Sequence, residues 1–188
     1  MRIILASKSP RRREILSRIY SDFEIIVSDA DETLPVGKAP AACAEEVSLR
    51  KGEAVAREVG EDALVISSDT MVEIDGCILG KPESAEDAHR MLAMLSGRVH
   101  NVHTGVAVHY RGRVFSGVDT TRVEFKSITS AEIDEYIATG EPMDKAGAYG
   151  IQGKGGALVL GYDGDYDTVV GLSLTLTERL IAEAIKYE

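Results

Sequence analysis

Between Val99 and Phe125 apolar and polar residues alternate with a period of two, and the alternation breaks once, at Arg111-Gly112. Successive side chains of a strand point to opposite faces, so this stretch predicts two antiparallel strands joined by a tight turn. A sheet built only from parallel strands is thereby excluded.

Ahead of this hairpin the pattern differs. Ile3-Ile4-Leu5-Ala6 is a short apolar run of the buried-strand type. Ser9 and Pro10 then read as the N-cap and first residue of a helix with Ile15, Leu16, Ile19 and Tyr20 at helical spacing. A strand is expected at 23–27, an acidic loop at 28–33, and a helix at 41–59 closed by Gly60. Residues 63–68 form a second buried-type strand that delivers Asp69-Thr70 at its end. Residues 71–74 continue extended into Asp75-Gly76, a strong hairpin-turn pair, and 77–79 return. Ser84 with Asp87, and Thr129 with Glu132, are capping-box patterns opening helices that end at Gly97 and Gly140. A strand at 158–160, a turn at 162–166 and a helix at 173–185 close the chain. Strands alternate with helices and then give way to hairpins. The expectation is one α/β domain over 1–188, with a mixed, twisted, partly antiparallel sheet flanked by helices and a cleft where the strand-end loops converge.

The formal charge of −10 opposes general attraction to a polyanion, so no nucleic-acid partner is expected, and local basic residues point instead to a small phosphorylated ligand. Cys43 and Cys77 lack CxxC spacing and suit a reducing compartment, and no apolar run is long enough to span a membrane, so a cytoplasmic protein is expected. The familiar nucleotide signatures are absent: there is no GxxxxGK[ST], and Gly153-Lys154-Gly155 does not complete GxGxxG. His89, His100, His103 and His109 have no zinc-ligand spacing and read as satisfied or solvated, and no GxSxG elbow occurs.

A carboxylate at a strand end, an acidic loop and scattered basic residues remain. Asp69 is either a strand-end cap or a group that holds a divalent metal or draws a proton from water, and Glu32 could share such a metal. Arg11, Arg12 and Arg13 stand in a first helical turn, where each exposed cation costs roughly 0.3–1 kcal/mol against the dipole. They are either solvated or waiting for an anion. Lys51, in mid-helix, reads on composition as an ordinary exposed lysine.

The segments Ala6-Ser7-Lys8-Ser9-Pro10-Arg11-Arg12, Ser68-Asp69-Thr70, Leu79-Gly80-Lys81-Pro82, the run from Asp144 to Gly153, and Val169-Val170-Gly171-Leu172 together resemble the Maf family of nucleoside triphosphate pyrophosphatases. The resemblance covers nearly the whole chain. It implies an ITPase-like fold with a cleft between two lobes, a homodimer, a divalent cation (Mg or Mn), and hydrolysis of a triphosphate to the monophosphate and pyrophosphate. The DKAGAYGIQG form looks like the branch that takes dTTP and UTP, with a role in limiting misincorporation of unwanted pyrimidine nucleotides. By the same resemblance Asp69 is the proton acceptor and shares the metal with Glu32. Arg11, Thr70 and Gln152 govern base choice, and Ser7, Arg12, Lys51 and Lys81 surround the phosphates. Two positions depart from the family pattern: Gly52, where alanine is usual and a looser helix is expected, and Ser173, which replaces a proline and can still cap a helix. The alternatives are a related pyrophosphatase acting on 7-methyl-GTP or CTP, and a nucleotide-binding regulator of septum formation that does not hydrolyse.

Overall fold

The computed structural model describes residues 1–186. In chain order it contains β1 (Arg2–Leu5), α1 (Pro10–Leu16), β2 (Glu24–Ile25), α2 (Pro40–Val59), β3 (Ala63–Ile74), β4 (Cys77–Leu79), α3 (Ala85–Leu95), β5 (Val99–Tyr110), β6 (Arg113–Phe125), α4 (Ser130–Ala138), β7 (Val159–Asp163), α5 (Tyr166–Val170) and α6 (Leu174–Ile185). Short 3-10 turns at Glu141–Asp144, Ala146–Ala148 and Lys154–Leu158 link α4 to β7. The sheet runs β2-β1-β3-β5-β6-β7, parallel across β2, β1 and β3 and antiparallel from β3 onward, with β4 folded back on the far half of β3. This is the mixed sheet that the hairpin pattern requires. Both expected turns are present: Asp75 and Gly76 have φ of 53° and 80°, Arg111 and Gly112 of 50° and 70°. Two consecutive left-handed residues are what a tight I′ hairpin demands.

Period two along β1 and β3 sorts the core. Ile4, Ala6, Ala63 and Val65 face α2 and pack on Val55, whereas Ile3, Leu5, Leu64 and Ile66 face the other way, onto α1 and α6. Each wholly buried Ile or Leu contributes roughly 1.5–3 kcal/mol. Further along β3 the second face changes partners, and Val72 and Ile74 join α3, α4, Phe125 and Tyr149 in a separate core. One long strand therefore runs through two apolar cores, and the gap between them is the cleft.

Several elements differ from expectation in extent. α1 ends at Leu16, so Ile19 and Tyr20 lie beyond it but still pack against the core of α1 and α6. β2 keeps two paired residues at the sheet's edge. Ser84 caps α3 through the Asp87 amide, but the Asp87 carboxylate accepts from the Glu83 amide, so only half of that box forms. The Thr129–Glu132 box is complete. β7 starts one residue late and runs to Asp163. α5 was not expected, because Thr168, Val169 and Val170 are β-branched and poor helix formers. Tertiary contacts hold it: Arg18 donates to both Asp167 carboxylate oxygens at 2.9 and 2.8 Å, and Thr168 Oγ1 donates to Asp119 at 2.7 Å.

The two departures from the family pattern have structural reasons. A Cβ on Gly52 would lie 2.5 Å from His109 Cδ2 and 2.6 Å from Ser67 Oγ, so glycine seats α2 against the sheet rather than loosening it. Ser173 caps α6 through the Leu176 amide and also donates to Asp119 at 2.8 Å. Cys43 is buried and Cys77 exposed. The histidines depart partly from the satisfied reading, since His100 Nδ1 and His109 Nε2 are buried without a hydrogen-bond partner.

Gly105 lies under α2, and a Cβ there would stand 2.3 Å from the Ala44 carbonyl oxygen. Gly105→Ala should cost about 1–3 kcal/mol or more in denaturant unfolding, because backbone must move. Gly161→Ala, with open space around the added carbon, should stay within about 0.5 kcal/mol. Burial pushes His100 down from 6.5 to about 4. The unfolded chain therefore takes up a proton that the folded chain refuses, and stability should fall as pH drops from about 6.5 towards 4. Unfolding midpoints across that range check this, and His100→Leu should flatten the slope.

Candidate functional site

The same alternation that sorts the core decides where β3 sends its polar residues. Asp69 follows Val65 and Ser67 on the face toward α2, and Ser68 and Thr70 follow Leu64 and Ile66 on the opposite face. On α2 the buried stripe is Cys43, Ala44, Val47, Ser48, Lys51, Gly52 and Val55, so Lys51 occupies a position that helical spacing reserves for the core. It is not the exposed lysine that composition suggests. Its ammonium lies 2.6 Å from Asp69 Oδ1 and 2.8 Å from Glu32 Oε2, with about 10% of the side chain exposed.

Glu32 comes from the irregular stretch between β2 and α2, and Arg50 pins that stretch. The Arg50 guanidinium donates to the carbonyls of Asp31 and Thr33, both at 2.9 Å, and so brackets Glu32 by its neighbours on either side. Burial pushes the Glu32 carboxyl up, but the hydrogen bond and charge of Lys51, with Lys81 and Arg12 adding, outweigh it and hold Glu32 below the usual carboxylate range. Arg50, which also lies 3.6 Å from Glu46, escapes a motif search because it holds Glu32 through the backbone carbonyls of its neighbours.

On the other face of β3, Arg12 is turned inward. Its Nε donates to the Gly171 carbonyl at 2.9 Å and its Nη1 to the Ser68 carbonyl at 2.7 Å, with Thr70 Oγ1 3.4 Å from Nη2. Ser68 Oγ also donates to Gly171, at 3.0 Å, and Thr70 Oγ1 lies 2.9 Å from Thr104 Oγ1. The Val169-Val170-Gly171-Leu172 segment thus serves as a carbonyl anchor for Arg12, and two of its guanidinium positions are already taken by protein. Burial lowers the Arg12 pKa and the charges of Asp69 and Glu32 oppose that. Ser7 Oγ accepts from the Ser9 amide at 3.1 Å.

The opposite wall is built by the segment from 141 to 153. Gly147 and Ala148 are left-handed in succession, with φ of 69° and 59°. A non-glycine residue in that region costs on the order of 1–2 kcal/mol. The turn places the Gly147 amide 3.0 Å from the Gly80 carbonyl and so fastens this wall to the loop that presents Lys81. Arg11, from α1, faces Asp144 across the gap at 4.0 Å.

Ser7, Arg11, Arg12, Glu32, Lys51, Asp69, Thr70, Lys81 and Gln152 all border one cleft of about 1050 Å³. The sequence reading therefore nominated residues that the fold gathers into one place. It missed Arg50, Ser68, Thr104, Lys145 and Glu141, which orient these groups; the signal for Lys145 was its place in the glycine-dense run. Chemically, the cleft offers a paired carboxylate and ammonium on one side, a rim of cations, and an exposed amide on the other side. Among the described residues no group of three or more His, Cys, Asp or Glu side chains gathers to hold a metal. The Glu32 and Asp69 carboxylates do converge on one point, now held by the Lys51 ammonium. Two carboxylates are a sufficient protein contribution for a Mg-type ion that takes its remaining ligands from phosphates and water.

Residues 2–184 match the family described as Maf-like protein. Among curated relatives, the dTTP/UTP pyrophosphatase of Moorella thermoacetica is 51% identical over 183 residues, covering 96% of this chain and 94% of the relative. That of Thermococcus onnurineus is 49% identical over 178 residues, covering 95% of each. That of Bacillus cytotoxicus is 44% identical, covering 100% of this chain and 96% of the relative. A solved HAM1 protein from Coxiella burnetii shares the fold, with a TM-score of 0.53 at 14% identity over 98% of this chain and 100% of that one.

Because Arg12 supports two carbonyls, Arg12→Lys should lower stability by about 1–3 kcal/mol, as lysine lacks the planar fork whose separate nitrogens reach the Gly171 and Ser68 oxygens. Denaturant titration of both proteins measures it.

Proposed function

The chain belongs to the Maf-like protein family, and from that premise we propose that it is a nucleoside triphosphate pyrophosphatase that cleaves dTTP and UTP to the monophosphate and pyrophosphate. Curated relatives of that name align with it end to end at 44–51% identity. The observation that carries the reading is Asp69, at the floor of the cleft, locked 2.6 Å from the Lys51 ammonium with Glu32 on that same ammonium.

Cleavage at the α-phosphorus needs a water that loses a proton as it attacks, and charge neutralisation on the departing pyrophosphate. Asp69 Oδ2 is left outside the Lys51 contact, so it can accept the water's proton while Oδ1 stays tethered. Lys51 acts here as an orienting group for two carboxylates rather than as a free phosphate ligand. Arg11 and Lys81, less committed to protein partners than Arg12, supply the positive charge toward the phosphate chain. Ser7 and Arg12 shape the floor beneath it. A divalent cation, Mg or Mn, would be held by Glu32 and Asp69 together with phosphate oxygens, and when bound it would neutralise phosphate charge.

Gln152 faces the cleft with both a donor and an acceptor, which suits the N3 hydrogen and flanking carbonyl of thymine or uracil. Cytosine reverses that pattern, so an amide held in this orientation leaves both of its groups unmatched. Arg11 and Thr70 complete the base-selecting set. A cytoplasmic setting suits the free cysteines Cys43 and Cys77. A homodimer is proposed on family grounds alone.

Asp69→Asn keeps the size of the side chain and removes its proton-accepting charge. It should lower pyrophosphate release from dTTP by a factor of about 100 or more. Because Lys51 loses its buried partner the unfolding midpoint should also fall, so both proteins are assayed at a temperature where circular dichroism shows the variant folded. Pyrophosphate, monophosphate and orthophosphate are resolved chromatographically; release of orthophosphate alone by the unmodified protein would point to a different hydrolase.

A further inference from the structure

The stretch Gly150-Ile151-Gln152-Gly153-Lys154-Gly155-Gly156 has four glycines in seven residues, a composition that on its own leaves a backbone free to wander. Here it is tied on both sides of Gln152. Glu141 Oε2 accepts from the Lys154 amide at 2.9 Å, and Oε1 accepts from the Gly155 amide at 3.0 Å. Oε1 also accepts from the Tyr136 hydroxyl at 2.9 Å, and that hydroxyl oxygen in turn accepts from the Gly150 amide at 3.2 Å.

The glycines are shaped to this latch. A Cβ on Gly153 would lie 2.5 Å from Glu141 Oε1, and one on Gly155 2.5 Å from the Tyr136 hydroxyl oxygen. Glu141 is itself held by its own carbonyl, which accepts from Lys145 Nζ at 2.7 Å. The group has to be a carboxylate. Three donors converge on it, and only a side chain without donors of its own can accept all three. Burial pushes the Glu141 carboxyl up, and the two amides, Tyr136 and Lys145 more than offset this, leaving it below the usual range.

We propose that Glu141, backed by Tyr136, is a positioning residue that sets base selectivity by fixing the backbone on either side of Gln152. This rests on the proposed function, in which Gln152 reads the base. The amide of Gln152 carries a donor at one end and an acceptor at the other, so it discriminates uracil or thymine from cytosine only while its place is fixed. A loop free to shift by an ångström takes the amide off the distance and angle at which it pairs with the thymine or uracil edge, and the advantage over cytosine shrinks.

The test compares the unmodified protein with Glu141→Gln and Tyr136→Phe by two readouts: kcat and KM for dTTP and dCTP, and hydrogen exchange of the Lys154 and Gly155 amides without nucleotide. Glu141→Gln turns an NH2 group toward N–H donors. It should speed exchange at both amides at least about tenfold and shrink the dTTP-to-dCTP ratio of kcat/KM by about tenfold, mostly through KM for dTTP, with kcat within about threefold. Tyr136→Phe should move both readouts the same way by less, and it carries the test if Glu141→Gln does not fold. Faster exchange with an unchanged ratio would reduce Glu141 to a structural tie and overturn the proposal, as would unchanged exchange. An unmodified protein that cleaves another triphosphate in preference to dTTP overturns the pyrimidine reading separately, and the latch is then judged on loss of that other preference.

Discussion

A lysine ammonium with about a tenth of its side chain exposed cannot stand alone, and the chemistry of the cleft depends on how Lys51 is satisfied. Its partners, Asp69 and Glu32, come from the middle of β3, which runs on to Ile74 rather than ending at Asp69 as expected, and from an irregular loop that shares no regular hydrogen bonding with it. What brings them together is the seating of α2 on the sheet. Gly52 lets the helix approach His109 and Ser67, and Gly105 lets the sheet approach the Ala44 carbonyl. With α2 in that position, Arg50 and Lys51 in succession grip the backbone around Glu32 and its carboxylate. Removing Lys51 or Asp69 leaves the other with uncompensated buried charge, whereas Glu32, with 60% of its side chain exposed, keeps water as a partner.

β3 divides the work by its own alternation. Its odd positions carry Ser67 and Asp69 toward α2, and its even positions carry Ser68 and Thr70 toward Arg12 and the Gly171 carbonyl. The strand then crosses from one apolar core to the next, and the opposite wall of the cleft hangs from the second core through Ala148 and Tyr149. Groups lining the two walls of the cleft are therefore tied to different cores, with Ile151 packed against both.

Much of this was legible from residue patterns, and the limits have physical causes. The hairpins at 75–76 and 111–112 could be read because only a few residue pairs accept two left-handed conformations in a row. Asp69 stands out because an acid interrupts an apolar run, but the residues alone leave a strand-end cap open, and the strand in fact continues to Ile74. Lys51 is reached only through the family resemblance, because composition puts lysines outside; the sign in the residues is its place between Val47 and Val55 on the buried stripe. Arg12 resembled a free anion ligand in sequence, yet the carbonyls that occupy it lie 56 and 159 residues away. α5 went unread because its contacts to Asp119 and Arg18 override weak helix propensity. Glu141 went unread because its work is done on backbone amides, which carry no side-chain signature.

In the proposed reaction the Asp69 carboxylate readies a water for attack on the α-phosphorus of a pyrimidine triphosphate. The most direct measurement is a single turnover of dTTP in water carrying the heavy oxygen isotope, with the products weighed by mass spectrometry. The heavy atom should appear in the phosphate of dTMP and not in pyrophosphate. Heavy oxygen in pyrophosphate would place the attack on the β-phosphorus and contradict the role assigned to Asp69.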